Sequence, residues 1–516
     1  MKKNLKYLTI CIAGALTFSA CKDSFINVAP KGTDLESNYY RNQTEAFNGL
    51  IAVYDVVGWQ GGGLVTKVNA MDAGSDDHFA GGGSATDVTD LQVFSNYTHS
   101  STVGPSSELW RAGFSGIFRA NVLLSKLPDV PMNETEKKRY AAEAKALRAF
   151  FTFDLVRLFK NIPLVNEPIP ADKIYEITQA APAEVYAQIE ADLKAALAET
   201  ALPNTVPAAT EGGRLTKGAV HAILGKVYLY QQKWAEAAAA FKEVNGTPGQ
   251  RNATYGYQLL PSFADLWRTQ NKFNSESILE IGHASTSAGD WGCIACTEGN
   301  VLNIMVGPRN YVAIKPGAPD YVSGWSFLPV TPDLFNAIHF DPRNKSTVLN
   351  MDSLQANGIA SYDPKAGYMN TGYFLEKFAG RASNKTKGGG APELNYPQNV
   401  YEIRLADTYL MEAEALIKGN GDAARAAALM TAVRTRAFND GVSHASVATL
   451  ANLKTERRLE LAGEGHRWFD LVRWGDAPTA LKSRGFIAGK HEILPIPLND
   501  LSNTKLEQSK EWGGTK

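Results

Sequence analysis

Residues 217–244, KGAVHAILGKVYLYQQKWAEAAAAFKEV, constrain the fold more than any other stretch. Two runs of helix formers flank a short polar turn, and Leu224, Gly225, Tyr228, Ala237 and Phe241 recur at spacings that place a small residue against an aromatic across two antiparallel helices. Helices recur in pairs elsewhere. LADTYLMEAEALIKGNGDAARAAALMTAVRTRA (405–437) repeats the long-helix, turn, helix outline. ETEKKRYAAEAKALRAFFTFDLVRLF (134–159) ends at NIP, and with AEVYAQIEADLKAAL (183–197) it forms a further hairpin through a proline-containing loop.

The five positions in 217–244 follow the tetratricopeptide pattern, so a helical-repeat platform is expected. Residues 57–110 and 246–400 read differently. They are rich in Gly, Pro, Asn, Ser and aromatics with little helical period, which predicts loops and short strands. Irregular segments this long usually bind or gate something. The expected fold is mainly α, one domain over 21–516. Its platform covers about 21–56, 111–245 and 400–516, and the loop-rich excursions cover about 57–110 and 246–400.

The N-terminus, MKKNLKYLTICIAGALTFSAC, has Lys2, Lys3 and Lys6, an apolar run from Tyr7 to Ala20, then Cys21. Spanning a bilayer as a helix takes ~20 apolar residues, so this run is read as a signal peptide over 1–20. FSAC resembles a bacterial lipobox, which makes Cys21 the lipidated first residue of the mature chain; plain secretion is the alternative. A multiply acylated cysteine is a stable tether. The following Lys22 and Asp23 resemble an export signal of some Gram-negative lipoproteins. The formal charge of the full chain is −1, so no basic field exists to hold a nucleic acid backbone.

The usual signatures of zinc proteases, serine hydrolases and P-loop nucleotidases, HExxH, GxSxG and GxxxxGK[ST], do not occur. GNGDAA (419–424) matches a dinucleotide-binding spacing but follows a helix, so it is read as a turn. MDAGSDDHFAGGGSATDVTD (71–90) gathers Asp72, Asp76, Asp77, Asp87 and Asp90 with His78 and Phe79. Three readings compete there: a hydrogen-bonded loop, a ligand-contacting loop and a structural calcium site, though no EF-hand spacing is present. Cys293 and Cys296, in CIAC, are read as a short disulfide loop, with free thiols or a redox pair as alternatives.

Aromatics concentrate in the excursions: Trp59, Phe79 and Tyr97 in the first, Trp291, Tyr311, Tyr321 and Trp325 in the second. A sugar presents an apolar C–H face that stacks on such rings, while Asn, Asp, Gln and Arg serve its hydroxyls. Trp59, Asp77, Phe79, Trp291, Tyr311 and Trp325 are therefore the candidate ligand-binding residues. No catalytic residue, metal ligand or cofactor is assigned.

The lipobox, the pair at 217–244, RLADTYLMEAEAL (404–416), ERRLELAGEGHRWFDLVRWG (456–475) and HEILPIPLNDL (491–501) together resemble the SusD/RagB family of outer-membrane nutrient-binding lipoproteins. The resemblance implies a cell-surface, lipid-anchored protein that captures an oligosaccharide or polysaccharide without turning it over. It also implies a SusC-like TonB-dependent transporter as partner, over which the chain sits as a lid. The same scaffold binding a peptide or glycopeptide, or a tetratricopeptide-type protein adaptor, are the alternatives. The stretch 456–475 is expected to be one helix, with Arg457–Glu460, Glu464–Arg467, Arg467–Asp470 and Asp470–Arg473 as surface pairs and His466 as a packed scaffold residue.

Overall fold

The computed structural model describes residues 39–59, 63–293, 296–385, 389–502 and 504–514. The signal-peptide and Cys21 readings lie outside them. Among these residues no helix is long and apolar enough to cross a membrane.

The platform is helical. Helix α1 (Gln43–Gly58) packs on α4 (Ser106–Lys126), with the shorter α2 (Lys67–Ala73) and α3 (Thr89–Ser95) between them in sequence. Then come α5 (Glu134–Phe159), α6 (Pro182–Ala198), α7 (Lys217–Tyr230) and α8 (Trp234–Asn245). Asn133 caps α5 by accepting from the amides of Thr135 and Glu136, and Thr216 caps α7 by accepting from Ala219. Within the α7–α8 pair a Cβ on Gly225 would stand 2.8 Å from the Phe241 ring, which is the small-against-aromatic contact expected from the sequence.

Strands β1 (Ser277–Ile281) and β2 (Val400–Arg404) pair antiparallel, bringing the two ends of the second excursion together at the platform. Then follow α9 (Leu405–Lys418), α10 (Ala423–Phe438), α11 (Leu450–Leu461) and α12 (Arg467–Trp474). The excursions are not free of helix: α2 and α3 lie in the first, and the second carries short turns of helix such as Pro332–Ile338.

The single helix expected over 456–475 is a correction. Helix α11 stops at Leu461, and Gly463 and Gly465, both at φ +76°, turn the chain before α12 begins at Arg467. A side chain at either position would be strained by that φ, and a Cβ on Gly463 would also meet Leu375 at 2.3 Å. The charges are not surface decoration either: of the expected pairs Arg473 does reach Asp470 at 2.8 Å, but both side chains are largely buried and Asp470 is shared with Arg457. Arg404, fully buried, donates to Glu464 at 2.8 Å, Glu276 at 3.0 Å and Glu460 at 2.6 Å. Arg436 bonds the same Glu276 and Glu460. Arg343 joins Asp341, Glu456 and Glu460, Lys377 joins Glu464, and Arg434 joins Glu456. Five cations thus face five carboxylates, and the cluster is neutral.

Burial alone would raise the Glu460 carboxyl, but the guanidiniums of Arg436, Arg404 and Arg343 outweigh it and hold it far below the ordinary range. Arg457 does the same for Asp407. His466 is packed beside Asp407, and burial brings its ring down to about 4, so it is neutral. Burial likewise lowers His78 and His283 to about 4.

Removing one member of such a network strands the others without partners. Arg404→Ala is expected to cost about 3–5 kcal/mol of stability, read from urea unfolding. For the buried histidines and the depressed carboxylates the pH dependence has one sign, opposed by carboxyls that burial raises, such as Glu376, brought up to about 7. The unfolded histidines take up protons near 6.5, while the folded ones resist until about 4, so their contribution is complete above 6.5 and lost as pH falls. Glu460 and Asp407, depressed in the fold, add a further loss below the ordinary carboxylate range near 4.5 and 3.8. The urea midpoint should therefore fall steadily from pH 7 to pH 4.

Candidate functional site: a tryptophan platform on interleaved loops

Three loop segments interleave above the platform. The glycine-rich stretch after α2 lies along 326–330: His78 bridges Val330 and Gly81 bridges Phe327, the Gly82 amide donates to the Ser326 carbonyl at 2.8 Å, and Leu328 donates to Ala80 at 3.0 Å. The third segment joins through Tyr368, whose amide donates to Gly82 at 2.8 Å. Gln92, buried, braces the glycine loop by donating to the carbonyls of Gly81 at 2.7 Å and Asp87 at 3.0 Å.

The fit is tight enough to strain the backbone. Ser326 and Leu328 are held at φ +60° and +53°, and Asn310 at +57°. Gly81, at φ +70°, would drive a Cβ to 2.3 Å from the Ser326 carbonyl. Such departures persist only where the surroundings over-determine them.

This frame presents Trp325. Its amide donates to Ile304 at 2.9 Å, its carbonyl accepts from Arg309 Nε at 3.0 Å, and its ring is half-buried. Trp291, 49% exposed, lies beside it with ring centroids 5.8 Å apart and planes inclined by 35°. The Trp291 indole N–H donates to Glu393 at 2.8 Å. The adjoining Cys293 and Cys296 form the short disulfide read from their spacing. Two neighbouring indoles with an open face and hydrogen-bonding groups around them are suited to stacking a sugar, and none of the groups named is set up as a nucleophile or a proton-transfer pair.

The other candidates are placed elsewhere. Tyr311 is a correction: only 8% exposed, it belongs to a small separate core with Leu349, Met351, Ala360, Tyr362 and Phe374. Its hydroxyl donates to Pro319 at 2.5 Å and its ring meets Tyr321 edge-on. Asp77 is a second correction. It is fully buried and accepts from Arg458 Nε at 2.7 Å, so its carboxylate fastens the loop to α11 instead of meeting a ligand. Asp76 does the same with both Nε and Nη2 of Arg467 at 2.8 Å. Asp72 accepts from the Gly465 amide and Asp90 from the Gly104 amide, which leaves the acidic stretch divided among protein partners. The Trp59 ring is covered by Arg111 and Arg119, whose guanidiniums lie 4.8 and 5.3 Å from its centroid. Phe79 is half-buried with Arg484 over its ring at 4.5 Å. The structure therefore brings Trp291 and Trp325 together, buries Tyr311 in a core of its own, and leaves Trp59 and Phe79 half-buried elsewhere under arginines.

Sequence reasoning did not single out Arg309, Glu393, Tyr368 or Met369 as site residues, and it named Asp87 only as a member of the acidic stretch 71–90. Arg309 Nη2 meets Asp87 Oδ2 at 3.2 Å, and the same oxygen accepts from the Gly83 amide at 2.7 Å. Met369 is 43% exposed at φ +54°. The signal available was the clustering of glycines before Asp87, which marks a close backbone approach; nothing in GPRN singles out Arg309.

Residues 305–510 match the family model described as the SusD family, and residues 62–229 match one described as starch-binding associating with outer membrane. A solved structure titled laminarin binding SusD-like protein is 51% identical, with TM-score 0.87, and the match covers 91% of this chain and 99% of that one. Surface glycan-binding protein A from Bacteroides thetaiotaomicron, in complex with laminarihexaose, is 25% identical with TM-score 0.78 over 90% of this chain and 99% of that one. SusD-like protein P25 of Formosa agariphila is 24% identical over 96% of this chain and 97% of its own length.

The packing assignments separate in thermal unfolding. Tyr311→Ala should destabilise by about 3 kcal/mol through the cavity it leaves, whereas Trp291→Ala should stay within about 0.5 kcal/mol of the parent.

Proposed function

The chain belongs to the SusD family, and on that premise we propose that it is a surface glycan-binding lipoprotein whose Trp291 and Trp325 rings hold laminarin or a closely similar oligosaccharide. The observation that carries this reading is the pair of indoles on a strained, braced frame, one ring half exposed and the other held on both sides of its backbone. The 51% identity to a laminarin-binding protein supports the choice of ligand, and the laminarihexaose complex of the more distant relative agrees with it.

The protein binds and does not cleave. Acylated at Cys21, it stands at the outer membrane and passes the glycan to a SusC-like TonB-dependent transporter. That role calls for reversible capture, because a site of nanomolar affinity would keep its cargo. Stacking on two rings with several water-competed hydrogen bonds gives roughly micromolar to millimolar affinity.

Calorimetric titration of the soluble form, begun after Cys21, with laminarihexaose tests the reading. Trp291→Ala and Trp325→Ala should each weaken binding roughly two- to tenfold, the range of a ring-stacking contact, with the hexasaccharide recovered intact. Unchanged affinity in both variants, or release of shorter sugars, would sink it.

A further inference from the structure

Arg309 is the cation of the platform. Its Nε is tied to the Trp325 carbonyl at 3.0 Å, which holds the guanidinium against the backbone that carries that indole. An arginine anchored to the backbone of a stacking residue is a ready anion receptor: its planar fork matches a carboxylate or sulfate, and charge-assisted bonds are about twice as strong as neutral ones. Left alone, it would draw uronic or sulfated sugars to the same rings that stack a neutral one.

It is not left alone. Asp87 Oδ2 stands 3.2 Å from Arg309 Nη2, and that oxygen is itself pinned by the Gly83 amide at 2.7 Å. Gly83 lets the guanidinium lie close: a Cβ there would be 3.0 Å from Nη2. The Asp87 carbonyl is held in turn by buried Gln92. Both side chains remain open to solvent, at 29% for Arg309 and 33% for Asp87. Neither is buried as a structural ion pair, so the pair contributes little to stability and its geometry is available to a ligand. Glu393, on the Trp291 side, adds a further negative charge.

Resting on the glycan reading above, we propose that Asp87 is a specificity-determining residue: it occupies the anion-binding position of Arg309 from within the protein and so reserves the platform for neutral sugars. A neutral hydroxyl pair still finds a donor on Arg309 and an acceptor on Asp87. A uronate or sulfate meets a position already filled by a carboxylate, whose like charge repels it and whose bond to the Gly83 amide it would have to break. Discrimination comes from this repulsive element as much as from the attraction of the rings.

The test is a pair of titrations, with laminarihexaose and with a hexa-uronate of the same length, on the parent, Asp87→Asn, the double variant Asp87→Asn/Arg309→Gln, and Trp325→Ala. Asparagine keeps an oxygen for the Gly83 amide and removes the charge. The parent should bind the neutral sugar and discriminate against the uronate. Asp87→Asn should gain roughly tenfold or more for the uronate, the scale of one charge-assisted contact, while changing roughly threefold or less toward laminarihexaose; the double variant should lose that gain. Raising salt should erase the gain in Asp87→Asn and leave neutral binding untouched. If Asp87→Asn, with an unchanged melting curve, gains nothing for the uronate, or if the parent binds both sugars equally, the proposal is wrong although the platform stands. If Trp325→Ala binds laminarihexaose as the parent does, the platform reading fails, and the role of Asp87 with it.

Discussion

Arg404 is the residue on which the rest of the architecture depends. Taking a guanidinium wholly out of water costs several kcal/mol unless every donor is met, and here Glu276, Glu460 and Glu464 converge on it. Those carboxylates come from two distant parts of the chain, Glu276 from the second excursion and Glu460 with Glu464 from the end of α11 and the turn after it, and each is shared with a second cation. The cluster is complete only when β2, α10, α11 and the second excursion are all in place. A cluster of this kind adds little net stability over a well-packed apolar core, but it admits one arrangement only.

The partners also explain how long irregular loops are held on a helical body. Arg343 and Lys377 belong to the second excursion and are drawn into the helices by Glu456, Glu460 and Glu464. Asp76 and Asp77 belong to the first excursion and are drawn to Arg467 and Arg458. One short piece of chain, 456–467, therefore fastens both excursions. The glycine loop is anchored a few residues before it, at Asp76 and Asp77, and the segment that carries Trp325 is anchored farther along, at Arg343, to the same α11.

How far the sequence discloses this follows from the range of the forces involved. Helix periodicity is local, so Glu134–Phe159 and the pairs at 217–245 and 405–438 are legible from composition and spacing. The charges at 456–473 are ambiguous for the same reason: at i, i+3 they satisfy the pattern of a surface helix, while their main partners lie up to 391 positions away. Only the glycines at 463 and 465 hint at a break. For the rings, Gly- and Pro-rich surroundings mark a loop but do not tell whether that loop builds its own small core. Tyr311 does so and Trp291 does not, although both sit in similar sequence. Arg309 and Asp87, 222 positions apart, become a pair only through the fold.

The two indoles differ in how they are held. Trp325 is fixed through its backbone on both sides and through the strained residues that follow it, whereas the Trp291 ring, two residues before the Cys293–Cys296 disulfide, is tied by one hydrogen bond to Glu393. If the platform stacks a sugar as proposed, Trp325 is the fixed wall on which one ring lies and Trp291, held by fewer bonds, takes the next. The entropy cost of ordering on a ligand would then fall mainly on the Trp291 side chain, with the loops beneath it unchanged.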